Sequence, residues 1–256
     1  MIDWSNFLAA MTLVLVRVSG VVAFAPFFSS TALPIRTRAV FCGAVAFLLA
    51  PLVATLPSAR TEIGFSSLLG ELAVGLVYGL LLTLLNEMLI FAGQVAGFQF
   101  SFSLVNLLDP GSSIQTPLLG ELFQLMGVLV IITAGLDRIM LASMIRSFRA
   151  VPLGEFALAP ASAVAIVQAA SGIFLAALEL AAPVLAATML VEIAIALMGK
   201  LSPQLPVMSL SVPAKTLTGF AVLIGSLALW PRFVEGRFAG LLDMAERLIT
   251  VHGAGR

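Results

Sequence analysis

The chain is poor in almost every side chain that carries chemistry. Its 256 residues include a single cysteine, Cys42, and a single histidine, His252, which lies in the C-terminal tail. One thiol cannot close an internal disulfide, and without clustered Cys and His there is no framework for a zinc site, so disulfide scaffolds and zinc modules are excluded. Charge is equally scarce, at 10% of residues, against about a quarter in an ordinary soluble domain. Thirteen basic and thirteen acidic residues cancel, which leaves no basic footprint for nucleic acid. No H-E-x-x-H, G-x-S-x-G or glycine-lysine phosphate loop occurs, so no constellation points to an enzyme or calls for a cofactor.

What is present is apolar. Hydrophobic residues make up 61% of the chain, which predicts an all-α membrane protein. Apolar stretches occupy roughly 6–28, 39–57, 67–100, 118–136, 161–199 and 216–231. A hydrocarbon core of ~30 Å is crossed by about 20 helical residues, so the first, second, fourth and last stretches are about one span each. The third and fifth, rising about 1.5 Å per residue, reach ~51 and ~58 Å. Such helices tilt, kink or leave the bilayer, and Pro183 is the expected break in the fifth. Pro34, Pro57, Pro203, Pro206 and Pro213 punctuate the connectors. Met1-Ile2-Asp3-Trp4 lacks the positive region of a signal peptide, so the first stretch is expected to be a retained helix. As simple spans, the six stretches place Arg60, Arg138, Arg146, Arg149 and the C-terminal arginines on one face, with Arg36, Arg38, Lys200 and Lys215 on the other. That bias favours cytoplasmic termini, but basic residues on both faces leave the topology open.

The third stretch holds two small-xxx-small motifs, Gly75 to Gly79 and Gly93 to Gly97. At ~100° per residue, Gly75, Gly79, Asn86, Gly93 and Gly97 fall within about 40° of one another. One stripe of this helix is therefore small or amide-bearing from end to end, and a neighbouring backbone can approach along it. The neighbour is either part of the same chain or another subunit of a bundle. Charges within apolar stretches are costly, at least ~2.5 kcal/mol each. Glu71 and Glu87 are read as lying near helix ends, whereas Arg17 and Glu192 sit deeper and are the candidates for buried charges. Past Pro231, Val234, Phe238, Leu241, Ala245 and Leu248 share one helical face opposite Arg232, Glu235, Asp243, Glu246 and Arg247. This tail reads as an interfacial amphipathic helix or one that docks on a partner.

Residues 98–117, FQFSFSLVNLLDPGSSIQTP, are polar yet carry one charge, Asp109. Phe98, Phe100 and Phe102 alternate with Gln99, Ser101 and Ser103, a period of two that reads as extended chain or helix fraying. Asp109-Pro110-Gly111 is a turn signal. Unpaired backbone at membrane depth survives only against protein or beside an aqueous cavity, so the stretch is either such a segment or an ordinary exposed loop.

The run GELAVGLVYGLLLTLLNEMLIFAGQVAGFQFSFSLVNLLDPGSSIQTPLL resembles the central signature of the FliR/SctT family of type III secretion export-gate proteins. It carries Gly70-Glu71, Gly75, Gly79, Ala92-Gly93-Gln94, Gly97-Phe98-Gln99 and Asp109-Pro110. A second block, with Pro203-Gln204 and Pro213-Ala214-Lys215, is similar to the family's hairpin turn and the opening of its last long helix. Gly135-Leu136-Asp137 and Leu205-Pro206 depart from the family pattern and put only local loop contacts in question.

The resemblance implies a single integral membrane domain, with residues 1–150 FliP-like and residues 151–256 forming a FliQ-like hairpin with an amphipathic tail. It implies FliP-like and FliQ-like partner subunits, FlhB-like and FlhA-like export components, and unfolded proteins as the exported cargo, in the bacterial inner membrane at the flagellar basal body. It also carries over a pore plug, at Asn106, Leu107, Leu108, Asp109, Pro110, Gly111, Ser112, Ser113, Ile114, Gln115 and Thr116. The alternative that the residues leave open is a small-solute secondary transporter using Glu179 or Glu192.

Overall fold

The computed structural model describes residues 4–24, 34–56, 62–100, 118–154, 160–202, 204 and 207–250. Regular structure among them is helical: α1 (Trp4–Phe24), α2 (Ile35–Ala54), α3 (Phe65–Gln99), α4 (Leu118–Thr133), α5 (Leu136–Ala150), α6 (Pro160–Leu201), α7 (Val207–Ser226), a 3-10 turn (Leu227–Leu229) and α8 (Trp230–Thr250). In hydrocarbon every backbone N–H and C=O must be satisfied within the protein, and a helix does so residue by residue. Five helical runs among the described residues are long and apolar enough to cross a membrane, and a sixth is added only if α4 is counted together with α5. The chain is an all-α membrane protein.

Proline does not break these helices where the sequence suggests. Pro183 lies inside α6, which continues from Pro160 to Leu201. One proline removes one hydrogen bond, whereas ending the helix there would strip several backbone groups of partners. One turn on, the buried Thr188 hydroxyl donates to the carbonyls of Val184 (2.8 Å) and Leu185 (3.0 Å). Pro213 and Lys215, expected at the hairpin turn where the last long helix opens, are likewise inside α7, which already begins at Val207. Of the other turn residues, Gln204 is exposed and Pro203 lies outside the described residues. Phe98 and Gln99 remain helical at the end of α3; the alternating pattern there does not make extended chain.

The chain divides into two compact units. The first contains the described residues of 1–85, 135–170 and 236–256. Here α1 and α2 pack side by side, with the Phe7 ring edge-on to Phe47 at 5.9 Å. Between helices in lipid there is little hydrophobic drive, so close packing must hold them, and Leu13 and Val14 of α1, Ala46 and Ala50 of α2, and Leu81 and Leu82 of α3 are all buried. Helix α5 follows Gly135, whose φ of 69° is the left-handed conformation that favours glycine. It is amphipathic: Met140, Ser143, Met144, Ser147 and Phe148 are buried, while Arg138, Arg146 and Arg149 are exposed.

The second unit contains the described residues of 86–134 and 171–235. Ring contacts tie its helices together, with Phe123 edge-on to the buried Trp230 at 4.7 Å and Phe91 edge-on to the exposed Phe174 at 5.3 Å. Phe100 stacks parallel on Phe220 at 4.9 Å.

Candidate functional site

Within the first unit, the small-residue stripe of α3 meets α1 directly. A Cβ on Gly75 would run into the Arg17 carbonyl oxygen and lie 3.1 Å from the Gly20 Cα; one on Gly79 would lie 2.7 Å from the Gly20 carbonyl oxygen. Gly20 is the reciprocal small residue on α1, since its own Cβ would lie 3.0 Å from Gly75 backbone. The two backbones touch because neither carries a side chain at the crossing.

That approach sets up a buried ion pair one turn away. Glu71, Gly75 and Gly79 are four residues apart and share a face, and Arg17 precedes Gly20 by one turn. Arg17 Nε donates to Glu71 Oε2 at 2.5 Å, with both side chains fully buried. The remaining arms of the guanidinium are also used. Nη1 donates to Ser147 Oγ at 3.2 Å and Nη2 to the Val151 carbonyl at 3.1 Å. The Phe148 ring lies 4.2 Å from Cζ, within cation–π range. Glu71 Oε1 accepts from the Gly154 backbone N–H at 2.9 Å. Arg17 therefore ties α1 to α3, α5 and the turn after α5. With both carboxylate oxygens and all three guanidinium nitrogens engaged, the centre is suited to holding helices together rather than to passing protons.

The sequence singles out Arg17 as a buried charge without giving its partner, which is Glu71, a residue read as lying near a helix end but found inside α3. Glu192 is not buried. Its side chain is 58% exposed and its Oε1 accepts from Lys215 Nζ at 2.9 Å, joining α6 to α7. The signal that could have found Glu71 is the glycine stripe itself, which extended back by one turn reaches it.

The tail helix α8 has its apolar face covered by its own chain rather than by lipid or a partner: Phe238, Leu242, Ala245 and Ile249 are buried. Glu246 Oε1 fixes the register on α5, accepting from Ser143 Oγ (2.7 Å), Arg146 Nε (3.0 Å) and Arg146 Nη2 (2.8 Å). The Arg146 and Glu246 side chains are 56% and 32% exposed, and solvent screens such pairs. Glu246→Gln is expected to cost no more than about 1 kcal/mol in thermal denaturation of the detergent-solubilised protein.

In the second unit, the rest of the stripe meets α4. A Cβ on Gly93 would run into the Leu119 carbonyl and lie 2.7 Å from the Gly120 Cα. Gln124 Nε2 donates to Asn86 Oδ1 at 2.9 Å. Gly97 is different, because its Cβ would only touch the Leu119 side chain at 3.6 Å. The plug residues Asn106 to Thr116 lie outside the described residues. Among the described residues no group of three or more His, Cys, Asp and Glu is placed to hold a metal ion.

Comparison with known proteins assigns the chain a family. Residues 8–241 fit the family described as bacterial export proteins, family 1. The chain belongs to that family. This export protein is 26% identical over 242 residues to the flagellar biosynthetic protein FliR of Caulobacter vibrioides, covering 91% of the chain and 94% of the relative. Over 249 residues it is 25% identical to the FliR of Bacillus subtilis, covering 95% and 96%. Over 252 residues it is 23% identical to the FliR of Escherichia coli, covering 97% and 95%. The FliR resemblance read from Gly70-Glu71 to Asp109-Pro110 thus holds along nearly the whole export protein.

Proposed function

We propose that this export protein is a subunit of the inner-membrane export gate of a type III secretion apparatus, where it helps form and seal the pore through which unfolded flagellar proteins leave the cytoplasm. The observation that carries the reading is the family match over residues 8–241, with relatives named flagellar biosynthetic protein FliR aligned over almost their full length. FliP-like and FliQ-like chains complete the pore, with residues 1–150 FliP-like and the hairpin from 151 FliQ-like. FlhB-like and FlhA-like components adjoin it, at the base of the flagellum.

The seal in this reading is the segment from Asn106 to Thr116. A plug must leave its seat without breaking buried charge pairs, which are costly to separate, and the segment has one charged residue, Asp109. Deleting residues 108–114 from the full chain in an assembled gate is expected to raise ion conductance of the inner membrane. Unchanged conductance with the gate still assembled overturns the plug. The transporter alternative gains nothing from the family match, and its candidate Glu192 is held by Lys215. Purification in mild detergent separates the two: co-purifying export subunits support the gate, and a stable monomer with solute-dependent exchange supports the transporter.

A further inference from the structure

Phe100 lies one residue past the end of α3, and its side chain is buried in the second unit against α7. The ring occupies the place that a side chain on Gly219 would take: a Cβ there would strike Cε1 and lie 2.7 Å from both Cδ1 and Cζ. The seat exists because residue 219 has no side chain. Beside it the ring stacks on Phe220, with centroids 4.9 Å apart and planes 3° from parallel, within the range of favourable aromatic pairs. One turn earlier on α7, Lys215 Nζ donates to Glu192 Oε1 at 2.9 Å, which ties this part of α7 to α6.

The chain runs from Phe100 toward Asn106 and comes back into α4 at Leu118. The two ends are held in different ways. At the returning end the contact is backbone on backbone, Gly93 of α3 against the Leu119 carbonyl and the Gly120 Cα, and it loosens only if α3 and α4 separate. At the departing end the contact is one side chain, and a ring leaves its seat by rotating about χ1 while the helices stay in place. Substitutions at 100 or 219 therefore loosen this end alone.

We propose that Phe100 is a positioning residue for the seal: its ring, seated over Gly219 and stacked on Phe220, fixes the point from which the chain departs toward Asn106. Helix α7 supplies the seat, so the hold on the seal depends on a helix distant from it in sequence. The inference rests on the reading of Asn106 to Thr116 as the seal.

The test measures ion conductance of the inner membrane with full-length variants in the assembled gate, beside the deletion of residues 108–114 as the unsealed reference. F100A empties the seat and G219A fills it, and each should raise conductance toward that of the deletion. F91A removes a ring from the Phe91–Phe174 contact of the same unit and should stay at the wild-type level. F100L/G219A pairs a smaller side chain with the added methyl and should leak less than G219A alone, the non-additivity of two groups that share one contact. Wild-type conductance in both F100A and G219A, beside a leaking deletion, overturns the proposal. So does an F91A leak as large as that of F100A, or a double variant that leaks as much as G219A. Loss of assembly in both single variants also overturns it, because the ring would then be part of the fold and not a hold on the seal. If the deletion itself leaves conductance unchanged, it is the seal reading that fails.

Discussion

Arg17→Ala is expected to destabilise the first unit by about 3–5 kcal/mol and to strip most of the chain from the membrane fraction. Glu71 would keep its charge in a fully buried position with only the Gly154 N–H left to it, while Ser147 and the Val151 carbonyl would each lose a donor. Arg17→Lys should recover little, because one ammonium cannot replace a planar fork that reaches three different acceptors. Replacing both partners by apolar residues of similar volume, as in R17M/E71L, should come within about 1–2 kcal/mol of wild type, since no unpaired charge remains. Thermal unfolding in detergent, followed by tryptophan fluorescence, reads all three. A double variant as unstable as Arg17→Ala would show that the pair is needed for its charge and not merely for mutual compensation.

Gly75→Ala is expected to cost about 1–3 kcal/mol, although alanine is the better helix former by about 1 kcal/mol. The added methyl meets the Arg17 carbonyl and the Gly20 Cα. Backbone atoms cannot rotate away as the end of a side chain can, so α1 and α3 must separate, and the ion pair one turn distant is stretched with them. Gly97→Ala makes the same chemical change on the same stripe but meets only the Leu119 side chain at an ordinary 3.6 Å, so it should leave the unfolding midpoint unchanged or slightly higher. Equal damage from the two would remove the explanation from backbone contact and assign it to helix propensity.

The helices themselves were legible in the sequence. Apolar runs of the right length form helices in lipid because the backbone has no other partner, and that demand is local to each run. The phase of Gly75, Gly79, Gly93 and Gly97 was legible as well, since helical periodicity is geometry along a single chain. Prolines misled: Pro183 and Pro213 look like breaks when each is weighed by its own lost hydrogen bond, and they stay in helix because the surroundings penalise the alternative more. The amphipathic face of α8 was visible from Val234 to Leu248, but nothing along the chain indicated that its cover would be the chain itself, with Glu246 gripping α5.

By itself the sequence determined the membrane setting, the helical class and the family, because each of these follows from composition, local periodicity or order of motifs. Only the tertiary structure decided that Arg17 meets Glu71, that Gly20 and Gly120 complete the glycine contacts, and that Glu192 sits at a surface beside Lys215. Those outcomes depend on which helices come within a few ångströms of one another. Arg17 and Glu71 are 54 residues apart in the chain, and their attraction favours contact with any opposite charge in hydrocarbon; what selects this one is the backbone crossing at Gly20 and Gly75, a property of two packed helices that neither possesses alone.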